Sequence, residues 1–326
     1  MRYGFAIGLA AAVLAGTGAA HAETLPVEGI YAANVDAPSR ARSIALGDFA
    51  GRGGERLAFA IDSALRSAIV EGRPWFDITF TAPAFGERYT YDGGADPRGG
   101  GVDAVMRGIA DVTWRDVDSG TKEVEECVTK NGIGMCTEKK KVTYACSTRE
   151  LTLRPEVRLA ARSGELLYAK GDTLTASRRF CKDERTPPPV EAMVEELAGR
   201  FALLVRRDIA PQQRADDIRV FEGRDGIAKD DREAFKAAVR LTKTDIEGAC
   251  RAFAALEERN PGDPSITFNL GLCHESASEL QEAAEQYRAV LGLRRGRIEA
   301  QAGLDRIASR LRAERQMALR PDLAPR

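Results

Sequence analysis

The stretch "EECVTKNGIGMCTEKKKVTYACSTRE", Glu125 to Glu150, holds three of the protein's six cysteines and a run of lysines. Asn131-Gly132 inside it is a strong two-residue hairpin signal, because both residues tolerate the positive φ of a type I′ turn. A hairpin centred there sets Cys127 opposite Cys136. The next turn signal, Ser163-Gly164, lies between "ELTLRPEVRLAA" and "ELLYAKGDTLTA" and sets Cys146 opposite Cys181. The same register places Leu151 opposite Ala176, Leu153 opposite Leu174, Leu159 opposite Tyr168 and Ala161 opposite Leu166, all on one face. A slip of one residue would turn every one of them outward. The first register adds Val112 opposite Leu151 and Ala110 opposite Leu153, so three long antiparallel strands share an apolar face. Val142, Tyr144 and Cys146 are apolar in even phase and Leu151 to Ala161 in odd phase, which asks for a β-bulge between Cys146 and Leu151.

What the cysteines do depends on the compartment. "MRYGFAIGLAAAVLAGTGAAHA" has one Arg near its start, an uncharged run and then Ala20-His21-Ala22, the small-x-small pattern of a signal-peptidase site. A cleavable leader of residues 1–22 is expected, with Glu23 as the new first residue. No Cys follows the site, so no lipid anchor is expected. No later run of comparable length is free of charge, so no transmembrane span is expected once the leader is removed. The expected location is periplasmic or otherwise exported, where an even number of cysteines is read as disulfides. Their spacing lacks the CxxC or Cys/His pairs of a zinc site. No metal is expected.

Outward from the cysteines, "ARSIALGDF" has the look of a buried strand, and "GERLAFAIDSALRSAIV" places Leu57, Ile61, Ala64, Leu65, Ala68 and Ile69 on one helical face. "WFDITFTA" returns as a second strand. After the glycine-rich loop Gly93–Gly101, "VDAVMRG" is expected as a short helix leading into the three strands. "TPPPVEAMVEELAGRFALLVRRDIAP" gives a long amphipathic helix opened by Pro187 to Pro189 and closed before Pro211.

The segments "IALGDFAGRGGERLAFAIDSALRSA", "GVDAVMRG" and "ELLYAKGDTLTAS", in this order of elements, resemble the CsgG-like envelope proteins, named after the curli secretion channel, and the related amino-terminal domain of TolB. The resemblance covers Ala41 to Pro211. It implies an α/β domain that assembles or docks at the outer membrane. The chain departs from the channel itself in two ways: it has no lipidated Cys, and its hairpin carries charges where a membrane strand needs an outward apolar row.

Beyond "QQRADDIRVFEGRDG" the pattern is helical and repeats. "TDIEGACRAFAALEERNPGDP" and "SELQEAAEQYRAVLGLRRGR" align Ile246 with Leu280, Ala249 with Ala283, Phe253 with Tyr287 and Leu256 with Val290, always at 34 residues. That is the tetratricopeptide period. Capping boxes are expected at Thr244 with Glu247 and at Ser278 with Gln281, and Asp263-Pro264 opens the helix between them. The region resembles two tetratricopeptide repeats followed by "RIEAQAGLDRIASRLR" as a closing helix. Cys250 and Cys273 remain as a third pair that no register supports.

In "SITFNLGLCHESA" Ile266, Leu270 and Cys273 form one stripe, while Phe268 and Leu272 stand on another face. In tetratricopeptide proteins the corresponding face lines a peptide groove, so Phe268, Leu272 and Glu275 are candidate partner contacts. The alternative is that the rest of the chain, or a second copy, covers them.

Little in the sequence points to catalysis. Without the leader one histidine remains, His274. "GDFAGRGGE" joins strand to helix as a phosphate loop does but lacks the GK[ST] ending. Asp48, Asp62 and Asp77 are widely spaced. No catalytic residue and no cofactor is expected, and the near-neutral net charge of −1 gives no reason for nucleic acid.

The expected fold class is α+β, an α/β sheet domain with a long antiparallel meander, plus an all-α tetratricopeptide helical-repeat domain. The expected organisation is leader 1–22, extended segment 23–40, sheet domain 41–211, linker 212–229, repeats with capping helix 230–313 and flexible tail 314–326. The expected function is a non-enzymatic adaptor that binds protein or peptide in the bacterial cell envelope, alone or as a homo-oligomer. An oligomeric outer-membrane secretion component of the curli-channel type is the second expectation. A carboxylate-dependent hydrolase is the third.

Overall fold

The computed structural model describes residues 23–80, 102–183, 187–293 and 295–320. The leader, the loop Gly93–Gly101, residues 81 and 82 of the strand beginning at Trp75, and the last six residues of the tail lie outside the described residues. Helices and sheets are mixed. The chain divides into two compact units, each built from separate stretches: Glu28–Ala215 with Asp305–Arg326, and Met1–Val27 with Asp216–Leu304. Both the expected extended segment and the expected linker contain strands, β1 (Thr24–Tyr31) and β10 (Gln212–Arg219), which form a two-stranded sheet.

In the sheet unit, β2 (Ser43–Ala50) leads through α1 (Gly54–Arg66) and a small ribbon of β3 (Ile69–Val70) and β4 (Arg73–Pro74) to β5 (Asp77–Phe80). β5 runs parallel to β2, as a helical crossover requires. There follow β6 (Ala104–Lys130), β7 (Cys136–Ala161), β8 (Leu166–Gly171), β9 (Leu174–Cys181) and α2 (Val190–Ile209). The sheet order is β5-β2-β6-β7-β8, with β9 also paired to β7. Ile44, Leu46, Met106, Leu151, Leu153 and Leu159 of the strands, Leu57, Ile61 and Leu65 of α1, and Leu197 and Phe201 of α2 form one buried core.

Three local expectations are corrected. Residues 104–108 are strand rather than helix, since β6 is hydrogen-bonded to β2 on one side and β7 on the other, with Ala104 and Met106 buried, Val105 half-buried between them and Arg107 exposed. Seven residues are too few for periodicity to separate the two forms. The turn at Asn131 has a three-residue loop: the Gly134 N–H donates to the Asn131 carbonyl, the Asn131 N–H donates to the Met135 carbonyl, and Gly134 takes φ +82. Ala161 and Glu165 close the second turn in the same way, with Gly164 at φ +89, and a local irregularity then sets Leu166 opposite Ala160 instead of Ala161.

From Ala104 to Asp118 the register of β6 on β7 is two residues from the expected one, with Val112 opposite Leu153 and Ala110 opposite Pro155; from Thr121 to Cys127 it is three residues off, so Cys127 stands opposite Lys139, and Cys136 opposite Lys130, instead of opposite each other. A shift of two keeps every side chain on its face, so Leu151 and Leu153 stay in the core. The bulge lies on β6, between Asp118 and Thr121 where Gly120 has φ +82, and not on β7 between Cys146 and Leu151. On β7, Ser147 to Glu150 are all half-buried, and the covered face changes across them. The β7–β9 register follows the expectation, with Cys146 opposite Cys181, Leu151 opposite Ala176 and Leu153 opposite Leu174.

The helical unit contains α3 (Arg232–Leu241), α4 (Ile246–Arg259), α5 (Pro264–Ser276), α6 (Leu280–Leu291) and the start of α7 (Arg297–Ala318). α4 packs on α3 and α5, and α5 packs on α6. Ala249, Phe253 and Leu256 of α4 and Ala283, Tyr287 and Val290 of α6 are all buried. The expected capping boxes are absent. Asp245, not Thr244, caps α4 by accepting from the Gly248 N–H at 2.8 Å. Ser278 lies outside α6 with φ +63, in a turn where its N–H bonds the Glu275 carbonyl. Asp263 caps α5 with Pro264 in its first turn.

The segment expected as a flexible tail from residue 314 belongs to α7 up to Ala318. Within the sheet unit, Gln316 is buried, its Oε1 accepting from the Ala33 N–H at 2.9 Å and its Nε2 donating to the Ala33 carbonyl at 3.1 Å. Arg320 donates to the Trp75 carbonyl at 2.6 Å and lies over the Trp75 ring.

Candidate interaction site on the long hairpin

Past the Cys146–Cys181 bond β9 ends, and β6 and β7 continue as a two-stranded arm from the Thr121–Ala145 pair to the turn. At about 3.3 Å per residue this is a ribbon roughly 30 Å long. Two strands alone are marginal in water. The arm therefore depends on its root, its cross-strand pairs and its tip.

At the root, the Arg149 guanidinium makes two bonds of 2.8 Å to the Asp116 carboxylate and a third to the Pro188 carbonyl. It lies over the rings of Trp114 and Phe180. Its hydrogen bonds hold the Asp116 carboxyl below the usual carboxylate range. A bidentate Arg–carboxylate fork enclosed by two rings is a rigid joint.

Along the ribbon, Lys139 pairs with Glu125 and Lys141 with Glu123, and Tyr144 donates to the Glu126 carboxylate, which pushes the phenol upward. Such exposed pairs contribute little stability each. Their charges do discourage sheet-edge pairing with other chains.

At the tip, Asn131 Oδ1 accepts from the N–H groups of Ile133 and Met135, at 3.2 and 2.9 Å, and Cys127 is bonded to Cys136. Around this staple the apolar side chains of Val128, Ile133 and Met135 are 60%, 80% and 61% exposed. Charged flanks, a covalent staple and an apolar end form a surface that can bury against another molecule. Sequence reasoning passed over these three residues. The available signal was that a hairpin loop between bonded cysteines gives apolar residues no interior to enter.

No family model matches this chain, and no curated protein matches it.

The other candidate sites differ in how they are placed. Phe268, Leu272 and Glu275 are brought together but buried, at 1%, 0% and 0% exposure, so as described they line no open groove. Phe268 stacks on Phe221 with ring centroids 4.2 Å apart, and the Tyr287 hydroxyl donates to Glu275 at 2.7 Å. Asn269 clamps Phe221 by accepting its N–H at 2.7 Å and donating to its carbonyl at 2.9 Å. Phe221, within the expected linker, thus packs on the second face of α5, the alternative left open by its two stripes. At the end of α5 the Ser276 hydroxyl donates to the Pro26 carbonyl. Cys250 is bonded to Cys273, joining α4 to α5.

The glycine-rich turn is packed rather than open. The Gly53 N–H donates to the Ala110 carbonyl at 2.9 Å, and a Cβ on Gly51, at φ +84, would meet that carbonyl at 2.4 Å. Asp62 pairs with Arg66 and Asp77 with Arg42, while Asp48 is exposed on β2. His274 pairs with Glu279 at 2.6 Å. Among the described residues no cluster of His, Cys, Asp or Glu could hold a metal ion, and no helix is long and apolar enough to cross a membrane.

A further buried carboxylate lies in the sheet unit. Asp208 accepts from Tyr168 Oη and Lys170 Nζ, both at 2.8 Å, and from Asn34 Nδ2 at 2.7 Å. Burial alone would raise its pKa, but these three donors together with the Lys170 charge hold it below 3.8. Burial and the same carboxylate push the Tyr168 phenol up. Every member is satisfied, which marks a structural network. A depressed folded pKa stabilises the protein above the unfolded value of about 3.9, and this contribution is lost as pH falls through the lower folded value. Asp208→Asn should cost about 1–3 kcal/mol at neutral pH. Urea unfolding below about pH 5 should show a shallower loss of stability in the variant than in the parent. Parallel pH profiles would remove Asp208 from the account.

Proposed function

We propose that the protein is a non-enzymatic exported adaptor that binds a partner protein in the cell envelope, and that the β6–β7 arm is its contact element. The observation that carries the proposal is the stapled tip, where Ile133, Met135 and Val128 stand exposed at the end of a charged ribbon. Three disulfides support export, because such bonds persist in oxidising compartments. The 34-residue offset between the starts of α4 and α6, with matched buried positions, supports a pair of tetratricopeptide-like repeats. The β2–α1–β5 unit and the long antiparallel strands support a CsgG-like sheet domain. Glu123, Glu125, Lys139 and Lys141 on one face of the arm, and Lys122, Glu126 and Lys140 on the other, leave neither face apolar enough for a membrane wall, which favours the adaptor over a channel.

A photo-crosslinking residue placed at Ile133 in intact cells should yield discrete adducts with envelope protein, and Met135→Asp in the same chain should reduce them at least about tenfold, as loss of an apolar contact centre does. Thermal unfolding should not change, since Met135 is exposed. Undiminished adducts in the charged variant would overturn the assignment of the tip.

A further inference from the structure

We propose that the Cys127–Cys136 bond is a site of thiol–disulfide exchange with an external dithiol, and that its opening releases the tip of the arm while the other two bonds stay closed. Cys127 and Cys136 are both exposed, whereas Cys146 and Cys181 are 2% and 4% exposed and Cys273 is buried. Attack on a disulfide needs the incoming sulfur to reach one sulfur of the bond, so access separates the three pairs before any other property does.

The local charges act in the same direction. Lys139 is the register partner of Cys127, and Lys130 that of Cys136, so each sulfur sits opposite an ammonium-bearing strand position. Nearby cations favour both the approaching thiolate and the thiolate that leaves. Lys139 shares its charge with Glu125, which leaves Lys130 as the stronger of the two.

The structural result of opening follows from the ladder. The β6–β7 register is irregular between Cys127 and Thr129 and again between Thr129 and Lys130, so few regular backbone bonds hold the end of the ribbon without the staple. Cys146 and Cys181, by contrast, are register partners in a continuous run of pairs reaching Leu153 and Leu174. In the exchange, one thiolate of the dithiol attacks a sulfur of the pair and expels the other as a thiolate. The second thiol of the dithiol then closes on the mixed disulfide. The dithiol leaves as a disulfide, and Cys127 and Cys136, having gained two electrons and two protons, are left as thiols. An oxidant of the disulfide class reverses the step.

The test needs no partner, so its outcome and that of the crosslinking experiment are independent. The full mature chain is incubated with dithiothreitol near neutral pH, quenched in acid, alkylated and mapped by mass spectrometry over time. Cys127 and Cys136 should be labelled at least about tenfold sooner than the other four cysteines. Hydrogen exchange on the partly reduced protein should show lost protection at Asn131 and Gly134, whose amides are bonded in the intact turn, with no change on β7 from Leu151 to Leu159. The Cys127→Ser, Cys136→Ser double variant should reproduce that pattern without reductant. Equal or faster labelling of Cys146 or Cys250 would overturn the proposal, as would an unchanged turn after reduction.

Discussion

Phe268→Ala should lower the unfolding free energy of the protein by about 3–5 kcal/mol, the range for removing a fully buried phenyl ring. The ring is enclosed from two sides, by Phe221 and by Tyr287, and it belongs to a helix whose other stripe, Ile266 and Cys273, is also buried. A helix covered all round has no free face on which to relax. The cavity left by the substitution would be lined by the Phe221 and Tyr287 rings; Asn269 holds the Phe221 backbone and Glu275 the Tyr287 hydroxyl, so collapse into it is restricted. Urea unfolding followed by far-UV circular dichroism measures the effect. A change below about 1 kcal/mol would mean that the α5 face is open in solution and available for a peptide, contrary to its burial here.

Joint replacement of Cys146 and Cys181 by alanine should cost roughly 3–4 kcal/mol in the chain-entropy treatment, since the bond spans 35 residues. Both ends are buried, so the folded protein gains little freedom when the bond is lost and the unfolded chain gains most of it. Removal of Cys127 and Cys136 should cost clearly less, because the loop is shorter and the exposed tip loosens in the folded state as well. Guanidinium unfolding of the two double variants under identical conditions gives the comparison. The reverse order would place the main covalent constraint at the tip instead of the root.

These effects show which parts of the fold were legible in the sequence. The β7–β9 register was legible because one face is apolar and the period of a strand is two, so Leu151, Leu153, Ala176 and Leu174 leave a single solution. The β6–β7 register was only half legible. The loop length depends on whether Gly132 or Gly134 takes the positive φ, and the sequence "NGIGM" offers both. The helix α2 and the offset between α4 and α6 were carried by periodicity over many residues. The strand at Ala104 was not, because a central strand is made by its neighbours and its own residues say little.

The candidate site was less legible than the fold. Phe268 and Leu272 read as apolar on a second face, but Phe221, which stacks on Phe268, lies in a stretch whose sequence reads as a linker. Tertiary cover of this kind leaves no periodic trace. The arm tip was hidden for the opposite reason. Its apolar residues sit in a loop, where amphipathic patterns do not apply.

The end of α7 has a consequence for how the chain is made. Ala33 is held by Gln316, Asp36 by Arg312 at 2.7 Å, and the Trp75 carbonyl by Arg320. The first and last contributors to the sheet unit are thus separated by nearly the whole length of the polypeptide. The chain reaches its folding compartment from one end, so the sheet can assemble early, but its closing contacts wait until residues from 309 onward have emerged. A chain that has emerged only up to residue 308 would carry an assembled sheet with Ala32, Ala33 and Asp36 lacking their contacts to α7, while Asn34 and Val35 are already bonded to Arg207 and Asp208, and the three residues in that state are open to proteases and to chaperones. Completion of this unit is therefore reported by α7, and protection of Ala32 and Ala33 from exchange or cleavage is the signal that α7 has docked.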